Sequence, residues 1–167
     1  MKKYLSLILL LIISCSGTVT FEKQGVIVEF PGRYKKDSNI GNQSVGGIEG
    51  ARVESYTYES KKGIFGINFL TSSTKFKGTL EDGMHGAVKQ VNGELIDYNY
   101  KIINKDTSLK YQYKTYQYVS QGGPVIFFVE QSYILNDYKM VVLKFVGKES
   151  AINSKIVDDF FKSFRIK

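Results

Sequence analysis

Tyrosine is the residue type whose number and spacing most invite a chemical reading. It supplies 12 of 167 residues, many in alternating pairs: Tyr56/Tyr58, Tyr98/Tyr100, Tyr111/Tyr113 and Tyr116/Tyr118. Strand side chains two apart share a face, so each pair sets two phenols side by side, with hydroxyls able to reach water or a partner. Lys101, Lys110 and Lys114 are interleaved with them and offer positive charge. Tyr98, Tyr100, Lys101, Tyr111, Tyr113 and Lys114 therefore make one candidate binding surface, since tyrosine is enriched at interfaces; the plainer reading is the margin of a half-exposed sheet. Arg33, Lys35 and Lys36, at the start of a long polar loop over residues 33–50, make a second, because long loops often carry function.

Residues suited to catalysis are scarce. His85 is the only histidine and Cys15 the only cysteine, so a zinc site or a Ser-His or Cys-His nucleophile pair would need unusual partners. Glu81/Asp82 and Asp158/Asp159 are adjacent carboxylates, but neighbours on a helix point to different faces and do not converge on a metal or a substrate. Asp82 reads as a helix cap, and Asp158 and Asp159 as solvated polar face. No calcium loop, P-loop or dinucleotide fingerprint is present. The expectation is a protein with no catalytic residues, no metal and no cofactor; an enzyme built on carboxylates and tyrosines alone remains the alternative.

The elements that must position these groups are mostly strands. Phe21 to Phe30 alternates through Val26, Val28 and Phe30 and ends at Pro31-Gly32. Ala51 to Glu59 and Ile64 to Thr71 flank the turn residues Ser60-Lys61-Lys62-Gly63 and read as a hairpin. From Leu80 the period changes: Leu80, Met84, Ala87, Val88 and Val91 lie at helical spacing, with Thr79 and Asp82 as a capping box and Asn92-Gly93 as a stop. Alternation resumes in Leu95 to Ile103, where Ile96, Tyr98, Tyr100 and Ile102 are expected on one face, and in Leu109 to Val119. Val125 to Leu135 and Tyr138 to Val146, joined at Asn136-Asp137, contain stretches that are apolar on both faces, which places them at the centre of the sheet. Ser150 to Phe164 carries an apolar stripe through Ile152, Ile156, Val157, Phe160, Phe161 and Phe164 and is expected to be one amphipathic helix, followed by a short extended segment. The implied class is α+β: an antiparallel sheet of about six to seven strands flanked by helices, an αβα sandwich.

This order of elements resembles a known group. A first strand ending in Phe30-Pro31-Gly32, a helix opening with Leu80-Glu81-Asp82-Gly83 and a terminal Phe160-Phe161-Lys162-Ser163-Phe164-Arg165-Ile166 are similar to the small bacterial domains related to the PsbP-like and Mog1-like αβα sandwich. The resemblance covers residues 21–167. It implies an accessory or binding role rather than an enzymatic one.

The N-terminus reads as a targeting segment. Lys2 and Lys3 precede the apolar run Leu5 to Ile13, which is about half the length needed to span a bilayer. Ile12-Ile13-Ser14-Cys15 resembles the lipobox of bacterial lipoproteins, and that resemblance implies cleavage after Ser14 and lipid attachment to Cys15. Residues 1–14 are then a signal peptide, residues 15–20 a lipidated N-terminus with a short tether, and residues 21–167 a single domain. Ser16 to Thr20 would hold that domain within roughly 20 Å of the membrane. Removing Lys2 and Lys3 takes the net charge from +7 to +5, a balance suited to anionic headgroups or an acidic partner. The lysines are scattered, which disfavours nucleic acid. No disulfide is available once Cys15 is modified.

The expected function is thus a lipid-anchored, non-enzymatic accessory or binding module of the cell envelope, held to the membrane by its lipid and engaging an envelope protein. The alternative is a surface lipoprotein that binds host or environmental ligands. Ser16 in place of an Asp after Cys15 favours the outer membrane or the surface over the inner membrane. The anchor is tested by Cys15→Ala, which should abolish metabolic labelling with palmitate and move the protein out of the detergent phase; unchanged labelling would exclude Cys15 as the lipid site.

Overall fold

The computed structural model describes residues 17–37, 52–103, 106–115 and 125–167. Cys15, most of segment 33–50, Tyr116 and Tyr118 lie outside them; within that segment, expected as a loop, Lys35–Asp37 form a strand paired with residues 55–57. The strands are β1 (Val19–Lys23), β2 (Val26–Phe30), β3 (Lys35–Asp37), β4 (Arg52–Ser60), β5 (Gly63–Thr71), β6 (Gly93–Ile103), β7 (Asp106–Thr115), β8 (Ile126–Asn136), β9 (Lys139–Gly147) and β10 (Arg165–Ile166); the helices are α1 (Leu80–Gln90), α2 (Glu149–Ile152) and α3 (Lys155–Lys162).

Because β8 and β9 are apolar on both faces, they can be satisfied only deep in a sheet. They lie there, in an antiparallel sheet of order β3-β4-β5-β9-β8-β7-β6. Their tight connection falls one residue later than the sequence suggests: Asn136 pairs with Lys139, and its side-chain oxygen accepts a hydrogen bond from the Tyr138 amide at 2.9 Å. One face of the sheet presents Tyr56, Phe65, Ile67, Phe69, Val129, Tyr133, Val141, Leu143 and Phe145 to the main core. The other presents Leu109, Tyr111 and Tyr113 to Met84 and Val88 of α1.

Three sequence expectations are corrected. Phe21 to Phe30 is a hairpin rather than one strand, because Gln24 and Gly25 take φ values of 52° and 79°, the two left-handed residues of a tight turn that matches strand twist. The C-terminal helix is broken. Ser154 takes an extended conformation with ψ 148° and its hydroxyl donates to the Ala151 carbonyl at 2.7 Å, a local bond that competes with helix continuation. Its apolar stripe survives the break, with Ile152, Val157, Phe160, Phe161 and Phe164 all buried. Third, the αβα sandwich is not a clean one. β10 pairs with β2, so the N-terminal hairpin and the chain end form a separate three-stranded sheet of order β1-β2-β10, which shares the main core with α2 and α3. On the opposite face α1 packs mainly on β6, β7 and β8.

Aromatic rings fasten the two sheets together. Phe21 meets Phe30, Tyr34, Tyr56 and Phe69 at centroid distances of 4.8–6.0 Å, and Phe160 meets Phe30 and Phe65 at 5.3 Å. Each such ring contributes about 1.5–3 kcal/mol by leaving water. Glu54 adds an electrostatic tie between the layers. Its carboxylate accepts from Lys23 of β1 and Lys36 of β3, both at 2.7 Å, and from the Tyr56 hydroxyl at 2.9 Å. The Lys23 and Lys36 ammoniums lower its pKa from 4.5 to about 2. A depressed carboxylate stabilises the fold above its unfolded pKa and loses that contribution as pH falls through its folded value. Glu54→Gln should therefore lower stability at pH 7 by about 1–2 kcal/mol, and the difference from the parent chain, followed by thermal denaturation, should vanish between pH 4.5 and about 2.

Candidate functional site

The register of the large sheet brings a row of polar side chains across its α1 face. Tyr98 of β6 pairs with Tyr111 of β7, Tyr111 with Glu130 of β8, Glu130 with Lys144 of β9, and Lys144 with Gly66 of β5. Period-two alternation then puts all of these on one face. Helix α1 covers one end of the row, and between α1 and the sheet lies a cleft of about 440 Å³ lined by Leu70, Leu80, Gly83, Phe128, Val142 and other mostly apolar residues around Glu130 and Lys144.

Glu130 is the unusual group. The Tyr111 hydroxyl donates to its Oε2 at 2.5 Å and the Tyr113 hydroxyl to its Oε1 at 3.0 Å. Tyr113 stacks on Phe128 with centroids 4.6 Å apart and planes 2° from parallel, so the rings form a flat apolar wall around the carboxylate. Burial raises the Glu130 pKa, and it outweighs the opposing effects of the Tyr111 hydrogen bond, the Lys144 charge and the Tyr113 hydrogen bond. Burial likewise raises Tyr111 and Tyr113, helped by the adjacent Glu130 charge. The site is thus a partly desolvated acceptor at the base of an apolar cleft, with both neighbouring hydroxyls already engaged as donors.

Lys144 lies directly across from Glu130, yet among the described residues it makes no ion pair at contact distance. Its stem runs over Gly66: a Cβ added there would sit 3.2 Å from both Lys144 Cγ and Cε. Gly66 accordingly sets the lysine's course across the sheet. On the opposite wall, Gly83 and Ala87 are four residues apart and both line the cleft, as expected for one helix face. A Cβ on Gly83 would meet nothing within 4 Å. The cleft thus has room for a side chain at Gly83.

The candidates read from sequence separate into different places. Tyr111 and Tyr113 are buried in the site. Tyr98 and Tyr100 are 46% and 52% exposed on the edge strand β6, where they form an edge-to-face pair at 6.4 Å. Lys101 and Lys114 alternate onto the opposite face: Lys101 pairs with Ser108, and Lys114 forms an ion pair with Glu94 at 3.4 Å. A combined Tyr/Lys surface is therefore not formed, since residues of odd offset cannot share a strand face. Arg33 and Lys35 are exposed, Lys35 paired with Glu59 at 2.9 Å. Lys36 lines a second, polar recess with Asp37, Arg52, Glu54 and Lys139, where its charge is already taken by Glu54. His85 lies on the exposed side of α1, and among the described residues no cluster of three His, Cys, Asp or Glu is placed to hold a metal. Likewise no helix among them is long and apolar enough to cross a membrane.

Glu130 and Lys144 are the residues that sequence reasoning passed over. Each is an ionisable residue inside a strand apolar on both faces, in Phe127-Phe128-Val129-Glu130 and Val141-Val142-Leu143-Lys144, and a charge in such a run is the available signal.

No protein-family model matches the chain, and no curated protein matches it in sequence. Its architecture is similar to that of the cyanobacterial PsbP protein CyanoP from Synechocystis sp. PCC 6803, seen in solution: the TM-score is 0.63 at 12% identity, over 93% of this chain and 95% of that one. A crystal structure of PA94, a protein of unknown function from Pseudomonas aeruginosa, aligns over 81% of this chain and 85% of that one with a TM-score of 0.44 and 6% identity. The fold is thus PsbP-like. At 12% identity the likeness to CyanoP shows the fold alone, because one fold hosts many functions.

The raised Glu130 pKa fixes the sign of a pH effect. A carboxyl that binds its proton more tightly in the folded state loses relative stability as pH rises from its unfolded value through its folded one. Glu130→Gln, which keeps an acceptor without the charge, should therefore gain in melting temperature over the parent chain as pH is raised from 4.5. Parallel pH profiles for the two chains would show that the carboxylate is not desolvated.

Proposed function

We propose that the protein is a lipid-anchored, non-enzymatic binding module of the bacterial cell envelope, and that the cleft beside α1 receives an apolar segment of an envelope protein partner. The observation that carries this reading is Glu130, an ionisable group kept in an apolar cleft against its desolvation. A hydrophobic side chain of similar size would stabilise the sheet better, and groups that oppose stability concentrate where a protein binds or reacts. The segment would place apolar side chains against Leu80, Val91 and Phe128, and direct a backbone N–H or a basic group to Glu130, with Lys144 available to a carbonyl or carboxylate beside it.

Binding fits these groups better than catalysis. The Tyr111 and Tyr113 hydroxyls both donate to Glu130 and both have raised pKa values, so neither is primed as a base. The lipid anchor rests on the Ile12-Ile13-Ser14-Cys15 motif, and the +5 charge of the processed chain suits a station beside anionic headgroups or an acidic partner.

The test is photo-crosslinking in intact cells from two exposed positions, Gln90 at the cleft rim and Lys61 in the β4–β5 turn. A discrete adduct is expected from Gln90 and not from Lys61, and Glu130→Ala should weaken it by about tenfold or more, the worth of one lost charge-assisted hydrogen bond. Equal adducts from both positions, or none from Gln90, would overturn the assignment of the cleft.

A further inference from the structure

The two edges of the large sheet are unlike. β3 is three residues long and reads Lys-Lys-Asp, a short charged edge of the kind that deters pairing. β6, at the other edge, is 11 residues long. Glu94, Asp97 and Lys101 are its only charges, and residues 96–102 are exposed without a break. Ile96, Tyr98, Tyr100 and Ile102 are 45%, 46%, 52% and 67% exposed. The β-bulge between Leu95 and Asp97 lies near its start, leaving Asp97 to Ile103 in continuous register with β7.

An exposed edge of this length and composition is a template for another strand, and its sequence specifies which one. A two-fold axis normal to a continuous antiparallel sheet passes beside one residue and its own copy, so only a few registers are open to self-pairing. With the axis at Asn99, and within the stretch beyond the bulge, Tyr98 faces Tyr100 of the second copy and Asp97 faces Lys101. Both charges are then opposed by their opposites twice over, and aromatic meets aromatic. Moving the axis to Tyr98 sets Asp97 against Asn99 and carries Lys101 past the bulge; moving it to Tyr100 sets Asp97 against Ile103. Opposite charges and paired aromatics directly across strands stabilise a pairing.

The geometry points to a symmetric dimer in which β6 pairs antiparallel with β6 of a second copy about Asn99, joining the two large sheets into one. The two faces of the joint have distinct roles. Tyr98, Tyr100 and Ile102 form an apolar strip on the α1 face, while Asp97 and Lys101 form reciprocal ion pairs on the other. The latter set the register.

The test uses the full chain in its membrane. Asn99→Cys places a thiol beside its own copy at about 4.5–5.5 Å between Cα atoms, within disulfide range. Mild oxidation should convert most of this variant to a covalent dimer on non-reducing gels, while Lys61→Cys, exposed in the β4–β5 turn, stays monomeric. Adding Asp97→Lys to Asn99→Cys puts lysine opposite lysine twice and should lower the dimer yield by about tenfold; adding Lys101→Asp as well should restore it. Equal yields from Asn99→Cys and Lys61→Cys would overturn the dimer. Failure of the double charge exchange to restore the yield would overturn this register, and because both residues are exposed, an unchanged melting temperature for each variant separates lost pairing from lost folding.

Discussion

Every layer of this molecule answers to one constraint: the β8–β9 pair is apolar on both faces, one buried in the main core and the other half-covered. A strand covered on one side may spend alternate residues on solvent, but these two must satisfy two different interiors at once. Val129, Val141, Leu143 and Phe145 serve the main core, and their neighbours Phe128, Glu130, Val142 and Lys144 serve the α1 side. The first interior is filled by the rings of β1, β2 and α3. The second is covered only in part, because α1 packs mainly on β6, β7 and β8. The cleft is what remains of that partial cover, and its polar groups lie where the cover stops.

Covering the main face takes an arrangement that a helical layer alone does not supply. The N-terminal hairpin lays Phe21, Val26, Val28 and Phe30 against the sheet, and β10 returns the chain end to β2. Ser163, the cap of α3, accepts a hydrogen bond from the Glu29 amide at 2.9 Å, so helix and hairpin are joined to each other as well as to the core. This is why the architecture departs from a plain sandwich while its outline follows the PsbP-like plan.

Much of this was legible in the sequence wherever periodicity and turn chemistry agreed. The Thr79/Asp82 capping box forms as read, with Thr79 accepting from the Asp82 amide and the Asp82 carboxylate accepting from the Thr79 amide, and the two-faced apolar runs located the sheet centre. Gln24-Gly25 went unread because glutamine is not a usual left-handed residue, and the alternation of Val26, Val28 and Phe30 masked the turn before it. The tyrosine pairs were visible as pairs, but which were buried depends on how α1 lies across β6 and β7, a tertiary choice that strand alternation does not encode. Glu130 carries no motif. Its meaning comes from two tyrosines on another strand, brought to it by a register that only the folded sheet defines.

The three-stranded sheet also decides how the domain bears a load. A force applied ahead of β1 would enter at Val19, which pairs with Phe30 at the open end of the hairpin. Directed across the strands, such a force would peel β1 from β2 one pair at a time, starting with Val19 and Thr20. The peeling meets its first real resistance two residues in, at Phe21, whose ring is lodged among Phe30, Tyr34, Tyr56 and Phe69. A single phenylalanine would therefore act as the mechanical stop for such a force, and how much of β1 it frees depends on how long that ring stays seated.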